Sequence, residues 1–242
     1  DFDSNLTNLI LELEHLRKRK LAWTTHPAIF FQLKSIFHLL ESIGSARIEW
    51  NRTTVAEFIE TKITPEKEIN EETQEIINME NALSYIDKNI ENIHIDHKFL
   101  RELHSFVTKN LNQNKEWSRN PWRYRQVDVR ISQSVHIPCS HLQVYDLMDE
   151  LITFINENHD NKYDLIKTAL AHHRFTWIHP FDNWNGRTVR LFTYAMLVKL
   201  WFNVNVWQII NPTAVFCNNR NNYYNNLSWA DFGSKQGLSD WC

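Results

Sequence analysis

The chain reads as an all-α protein with one β-hairpin, and two observations predict this. Apolar residues recur three and four positions apart along most of its length, and convincing apolar–polar alternation occurs in one place only. The chain has 242 residues, 43% of them hydrophobic, which is enough for one substantial core. Its formal net charge of −3 carries no basic footprint for nucleic acid.

An amphipathic helix is expected over 6–19 and a second over 29–43, where Ile29, Leu33, Ile36, Leu40 and Ile43 share one face. Pro27 suits the entry to the second, because the first N–H of a helix has no partner to lose. The polar, acidic stretch 62–75 reads as a connection. Helices follow over 70–90, with Ile76, Met79, Leu83 and Ile86 inward, then over 97–111, 142–156 and 165–177. A further helix opens near Arg187 and buries Leu191, Tyr194, Ala195 and Val198 on one face, ending about Trp201. The hairpin falls in 124–138, where Val127, Val129 and Ile131 alternate with Asp128 and Arg130 before Ser132-Gln133-Ser134 and Val135-His136-Ile137. We divide the chain into an amino-terminal helical region, 1–93, and a core, 94–242.

Cys139, Cys217 and Cys242 are widely spaced and form no Cys-x-x-Cys pair, which argues against a disulfide framework or zinc site. No leader peptide or membrane-length apolar run is visible, so a cytoplasmic protein is expected. Beginning at Asp1 and stopping at Cys242 within a continuing pattern, the chain reads as a fragment.

The chemistry concentrates in His179-Pro180-Phe181-Asp182-Asn183-Trp184-Asn185-Gly186-Arg187-Thr188-Val189-Arg190. A helix start carries roughly +0.5 charge and free N–H groups, so Arg187 and Arg190 in its first turn call for an anion. Three apart, the two arginines can reach one ligand, and an oligophosphate fits. His179, just ahead, can take a proton from a hydroxyl near neutral pH. Taken singly, the histidine reads as a packed residue and the arginines as a solvated face; their conjunction within twelve residues favours a site. His172 and His173 lack the spacing and acidic partner of a metal site.

His-Pro-Phe-x-x-x-Asn-Gly-Arg-x-x-Arg resembles the signature of Fic domains, the protein adenylyltransferases. The resemblance implies that His179 is the base for attack of a target hydroxyl on the α-phosphate of ATP. Asn185, Gly186 and Arg187 would cradle the phosphates, and Arg190 would hold the γ-phosphate. Where the family has an acidic magnesium ligand this chain has Asn183, a weaker neutral donor for Mg2+. Where the family has glycine it has Trp184.

Ser45-Ala46-Arg47-Ile48-Glu49-Trp50-Asn51 resembles the inhibitory segment ahead of many Fic cores, which would pair Glu49 with Arg190 and make Ser45 and Glu49 regulatory. Without the resemblance, Ser45 capping a short helix with Glu49 one turn on is explanation enough. By resemblance 124–138 is the flap on which a target protein docks, and Asn221 and Tyr224 border the adenine. A binding module with a decayed site, or another Fic reaction such as removal of AMP, stays open beside AMP transfer, as does oligomerisation.

The chain has 10 tryptophans against 4 glycines. Trp50, Trp122, Trp184 and Trp201 stand in glycine-like places, at expected turns, caps and the phosphate loop. This predicts either genuine divergence or codons read as glycine in the source organism, UGA foremost. The intact mass of natively made protein separates the two: recoding gives a deficit of about 129 Da per site from the side chain glycine lacks, and a mass equal to the written chain removes it.

Overall fold

A computed structural model describes residues 5–18, 26–64, 69–111, 121–132, 134–158, 160–200 and 211–242. Its helices are α1 (Asn5–Lys18), α2 (Pro27–Ile48), α3 (Val55–Ile63), α4 (Glu71–Asn89), α5 (His97–Thr108), α6 (Val144–Asn156), α7 (Asp164–Ile178), α8 (Asn185–Lys199), α9 (Pro212–Asn218), α10 (Arg220–Asp231) and α11 (Lys235–Trp241). Many starts are set locally. Thr54 and Glu57 form a reciprocal capping box at α3, Asn70 and Asp96 cap α4 and α5, and Pro27 and Pro212 open α2 and α9.

The bundle is built around α8. Every residue of that helix except Gly186 and Lys199 is buried, not the single face that periodicity suggested. The cause is its neighbours, since α7, α5, α4 and α2 all pack on it. Its polar groups find partners inside: Thr193 donates to the Val189 carbonyl, and Tyr194 donates to Asp87 at 2.8 Å. The main core joins Met79 and Leu83 of α4, Phe99 and Leu103 of α5, Met148 of α6, Phe175 of α7 and Phe192 of α8.

Two features of α2 depart from the sequence expectation. Ile29, Leu33, Ile36 and Leu40 are exposed, from 39% at Leu33 to 52% at Ile29, and only Ile43 of that face is buried. The inward face is polar because it meets charge: Lys34 and His38 lie 2.6 and 2.9 Å from Asp87 of α4. The helix also runs on past residue 43 to Ile48, taking Ser45 into its last turns, so Ser45 is no helix cap. It ends in a Schellman turn, with the Asn51 N–H on the Ala46 carbonyl at 3.1 Å and the Trp50 N–H on Arg47 at 3.0 Å. Trp50 sits in the left-handed position of that turn, φ 70°.

The expected hairpin does not form among the described residues of 124–138, of which Gln133 is not one. Val127, Val135 and Ile137 are exposed, so the alternation faces no core, and a lone two-stranded ribbon is marginal in water. Side chains hold the segment instead. His136 donates to the Trp177 carbonyl at 2.8 Å, and Asp128 accepts the backbone N–H of His141 at 2.7 Å.

Glu41 of α2 is buried and accepts the Thr213 N–H and hydroxyl at the start of α9. Burial raises its pKa from 4.5 to about 7, against the lowering effect of those hydrogen bonds. A carboxyl raised in the folded state favours folding below its unfolded pKa, and that stability is lost as pH rises through the folded value. Between pH 4.5 and 7 the protein is therefore expected to lose on the order of 3 kcal/mol relative to Glu41→Gln. Denaturant titrations of both proteins across that range check it; parallel curves would contradict it.

Candidate active site

The turn between α7 and α8 gathers the motif. His179 caps α7 in the left-handed region, φ 53°, and its Nδ1–H donates to the Thr176 carbonyl at 3.3 Å. This tautomer leaves Nε2 as an acceptor. Burial pushes the imidazole down to about 4, opposed by the Thr176 hydrogen bond, so His179 is neutral at pH 7.

Three side chains hold this turn in place. Arg125 donates from Nε to the His179 carbonyl at 2.9 Å and from Nη2 to the Ile178 carbonyl at 3.3 Å, while its N–H meets the Pro180 carbonyl at 2.8 Å. His104 stacks on Phe181 with ring centroids 3.9 Å apart and donates from Nε2 to the Asn183 carbonyl at 3.2 Å. Asn185 clasps Phe181, accepting its N–H at 2.9 Å and donating to its carbonyl at 2.8 Å. The side chain expected to cradle phosphate is therefore spent on shaping the loop.

Trp184 stands at the N-cap of α8 with φ 64° and makes no side-chain cap. The first N–H groups of α8 consequently have no side-chain cap from Trp184, and the Glu49 carboxylate lies against Gly186 in that first turn. A Cβ on Gly186 would overlap the Glu49 carboxylate, which shows how closely that group lies on the helix start. Arg190 grips the same segment: Nε donates to Ser45 Oγ at 2.8 Å, and Nη2 donates to the Ser45 carbonyl at 3.0 Å and to Glu49 Oε1 at 2.9 Å. Arg190 Nη1 is buried with no hydrogen-bond partner among the described residues. Partial burial alone would raise the Glu49 pKa, but Arg190, then Arg187 and Arg220, bring it below the usual range.

Arg187 also makes an ion pair of its own. Its Nη2 lies 2.7 Å from Glu75 Oε2, and its guanidinium stacks 4.4 Å over the Trp184 ring. Glu75 belongs to the stretch that sequence alone made a connection, and α4 carries it inward.

Across from the motif, α10 brings Asn221 and Tyr224 to the same cavity, about 1570 Å³, which His179, Gly186, Arg187, Arg190 and Glu49 also line. Arg220 stacks between Trp50, at 3.7 Å, and Tyr224, at 5.1 Å. The glycine-like reading is mixed: Trp50 and Trp184 take left-handed backbone, Trp122 does not, and Trp201 lies outside the described residues.

The donor set suits a resident metal poorly. Asn183 Oδ1, the expected ligand for Mg2+, already accepts the Trp184 N–H at 2.8 Å. Among the described residues no group of three or more His, Cys, Asp or Glu could hold an ion. His172 bonds Thr193 and Tyr223, and His173 pairs with Asp231.

A helical bundle whose buried central helix starts on a histidine turn and two carboxylate-paired arginines defines a class with an anion site at that helix start. Residues 94–197 match the family model described as Fic/DOC family, and the chain carries a Fic/DOC domain. It is 29% identical over 203 residues to the protein adenylyltransferase Fic of Drosophila yakuba, covering 81% of this chain and 37% of that protein. The same figures hold for Drosophila melanogaster. The match thus spans little more than a third of the length of these curated relatives. Among solved structures, a Fic family protein from Desulfovibrio desulfuricans G20 aligns with TM-score 0.74 at 21% identity, covering 98% of this chain and 70% of that one. Fic-1 from C. elegans, as its E274G form, aligns with TM-score 0.73 at 20% identity over 97% and 67%. These structural likenesses bear out the helical fold.

Arg125, His104 and Glu75 were invisible as site residues in the sequence, since each acts on a partner more than fifty positions away. Gly186→Ala is expected to expel the Glu49 carboxylate and to cost about 1.5–3 kcal/mol, the worth of a charge-assisted pair. In a thermal double-mutant cycle with Glu49→Gly the two losses should overlap; full additivity would show that Glu49 does not rest on Gly186.

Proposed function

We propose that this domain transfers AMP from ATP to a hydroxyl of a target protein and rests in a state inhibited by Glu49. The observation that carries the reading is the Glu49 carboxylate lying at the start of α8 on Arg190, in the place an anionic phosphate would take. The neighbouring motif and the adenylyltransferase relatives support it.

In the reaction, the hydroxyl oxygen bonds to the α-phosphorus as the bond to the bridging oxygen breaks, and pyrophosphate leaves with that electron pair. The hydroxyl proton passes to Nε2 of His179, which is neutral and already oriented by Thr176. Arg125 and His104 hold the histidine turn, so the base is positioned before substrate arrives. Gly186, Arg187 and the α8 N–H groups receive the phosphates, and Arg190 takes the γ-phosphate once Glu49 leaves. Tyr224 and Asn221 border the base, and the 124–138 segment, with its exposed apolar side chains, receives the target. Mg2+ bound with the nucleotide would neutralise phosphate charge.

A second reading rests on a specific observation. Asn183 turned onto its own neighbour and the tight stacking of Trp184 on Arg187 favour a weakened or inactive site that serves as a binding module. Incubation with ATP labelled at the α-phosphate discriminates. Glu49→Gly is expected to raise protein labelling by about an order of magnitude or more, the equivalent of losing a charge-assisted pair, and His179→Ala in that background should abolish it. Retained ATP binding without label would select the module, and released AMP without labelled protein would select hydrolysis.

A further inference from the structure

Glu49 makes its ion pair with Arg190, and a second carboxylate pairs with Arg187. That second carboxylate lies on α4. Glu75 Oε2 meets Arg187 Nη2 at 2.7 Å, with both side chains largely buried, and the same oxygen accepts a hydrogen bond from Asn51 Nδ2 at 2.7 Å. Asn51 also donates to the Glu72 carbonyl at 2.9 Å and accepts the Thr53 N–H at 3.0 Å. Its own N–H closes the Schellman turn on Ala46, the turn that sets Glu49 against Gly186. One carboxylate oxygen therefore touches both the phosphate-side arginine and the residue two positions beyond Glu49.

We propose that Glu75 is a second regulatory carboxylate of this site, a positioning residue that caps Arg187 and, through Asn51, holds the turn bearing Glu49, so that the two carboxylates release together. The proposal rests on the nucleotide reading above for its ligand, but the coupling itself is a property of the resting chain. An anion reaching Arg187 competes with Glu75 for the guanidinium. As Glu75 gives way, Asn51 keeps only its bond to the Glu72 carbonyl of α4, and the turn holding Glu49 on Arg190 loosens. The linkage is reciprocal, so withdrawal of Glu49 eases displacement of Glu75 by the same free energy.

Two measurements on the full chain test this. In amide hydrogen exchange without nucleotide, Glu75→Gln is expected to speed exchange over 45–53 by about tenfold, with α5 unchanged, a local opening that general destabilisation would not give. In calorimetric titration with ATP, Glu75→Gln is expected to tighten binding about three- to tenfold, and its effect should shrink in a Glu49→Gly background. Unchanged exchange over 45–53 overturns the proposal, as does weaker ATP binding in Glu75→Gln. Should that variant not fold, Asn51→Ala cuts the link from the other side and must give the same local rise in exchange; no rise overturns the proposal equally. If neither the wild type nor Glu49→Gly binds ATP, the nucleotide reading fails, and exchange alone decides the coupling.

Discussion

The structure depends on the neutralisation of cations at the buried start of α8. The Arg190 side chain is 1% exposed, and removing such a charge from water costs several kcal/mol unless it is paired. A second guanidinium and the helix dipole add to it. The chain resolves this with the turn that ends α2 and with α4, whose Glu49 and Glu75 pair with Arg190 and Arg187. That requirement accounts for the continuation of α2 to Ile48 and for the Schellman turn that places Glu49, while the polar face earlier in the helix meets Asp87 of α4.

The same corner holds most of the left-handed backbone. His179, Trp184 and Trp50 adopt positive φ within one site, each at a cost of about 1–3 kcal/mol for a residue that is not glycine. Such conformations persist where surroundings over-determine them. Arg125 takes the carbonyls of Ile178 and His179, His104 takes that of Asn183, and Asn185 clasps Phe181 at both ends. The strain is therefore held by hydrogen bonds to main-chain atoms, which restrict the turn more tightly than side-chain packing would. At Trp184 the indole is also buried against the main core, so the bulk that costs backbone energy recovers part of it in apolar contact.

Much of this was legible in residue order. The helix-start arginines and the histidine turn announce themselves through short-range spacing, because one helical turn decides which groups share a face, whereas the Ser45–Glu49 segment stood out only by its resemblance to the inhibitory segment ahead of Fic cores. Arg125, His104 and Glu75 do not, because their partners are carbonyls and a guanidinium brought near only by packing of separate helices. Periodicity misjudged α8 and α2 for related reasons: it detects an apolar stripe, whereas burial depends on what stands opposite. Alternation over 127–137 likewise gives strand preference without supplying the partner that a ladder requires.

The geometry also separates two controls that a shared site could have merged. His179 takes its tautomer from Thr176 and its neutrality from burial, which outweighs the opposing pull of the Glu49 carboxylate toward the protonated form. In the proposed reaction the base would be ready while the carboxylates are in place, and Glu49 would restrain the phosphate side rather than the proton acceptor. In that reading the exchange is reversible at low cost, since guanidiniums that release a carboxylate gain a phosphate of like charge. An inhibitor that worked by protonating His179 would instead bring an imidazolium close to the Arg125 guanidinium, whose charge already disfavours that form. Competition between anions for Arg190 and Arg187 is thus the form of restraint this arrangement of charges permits.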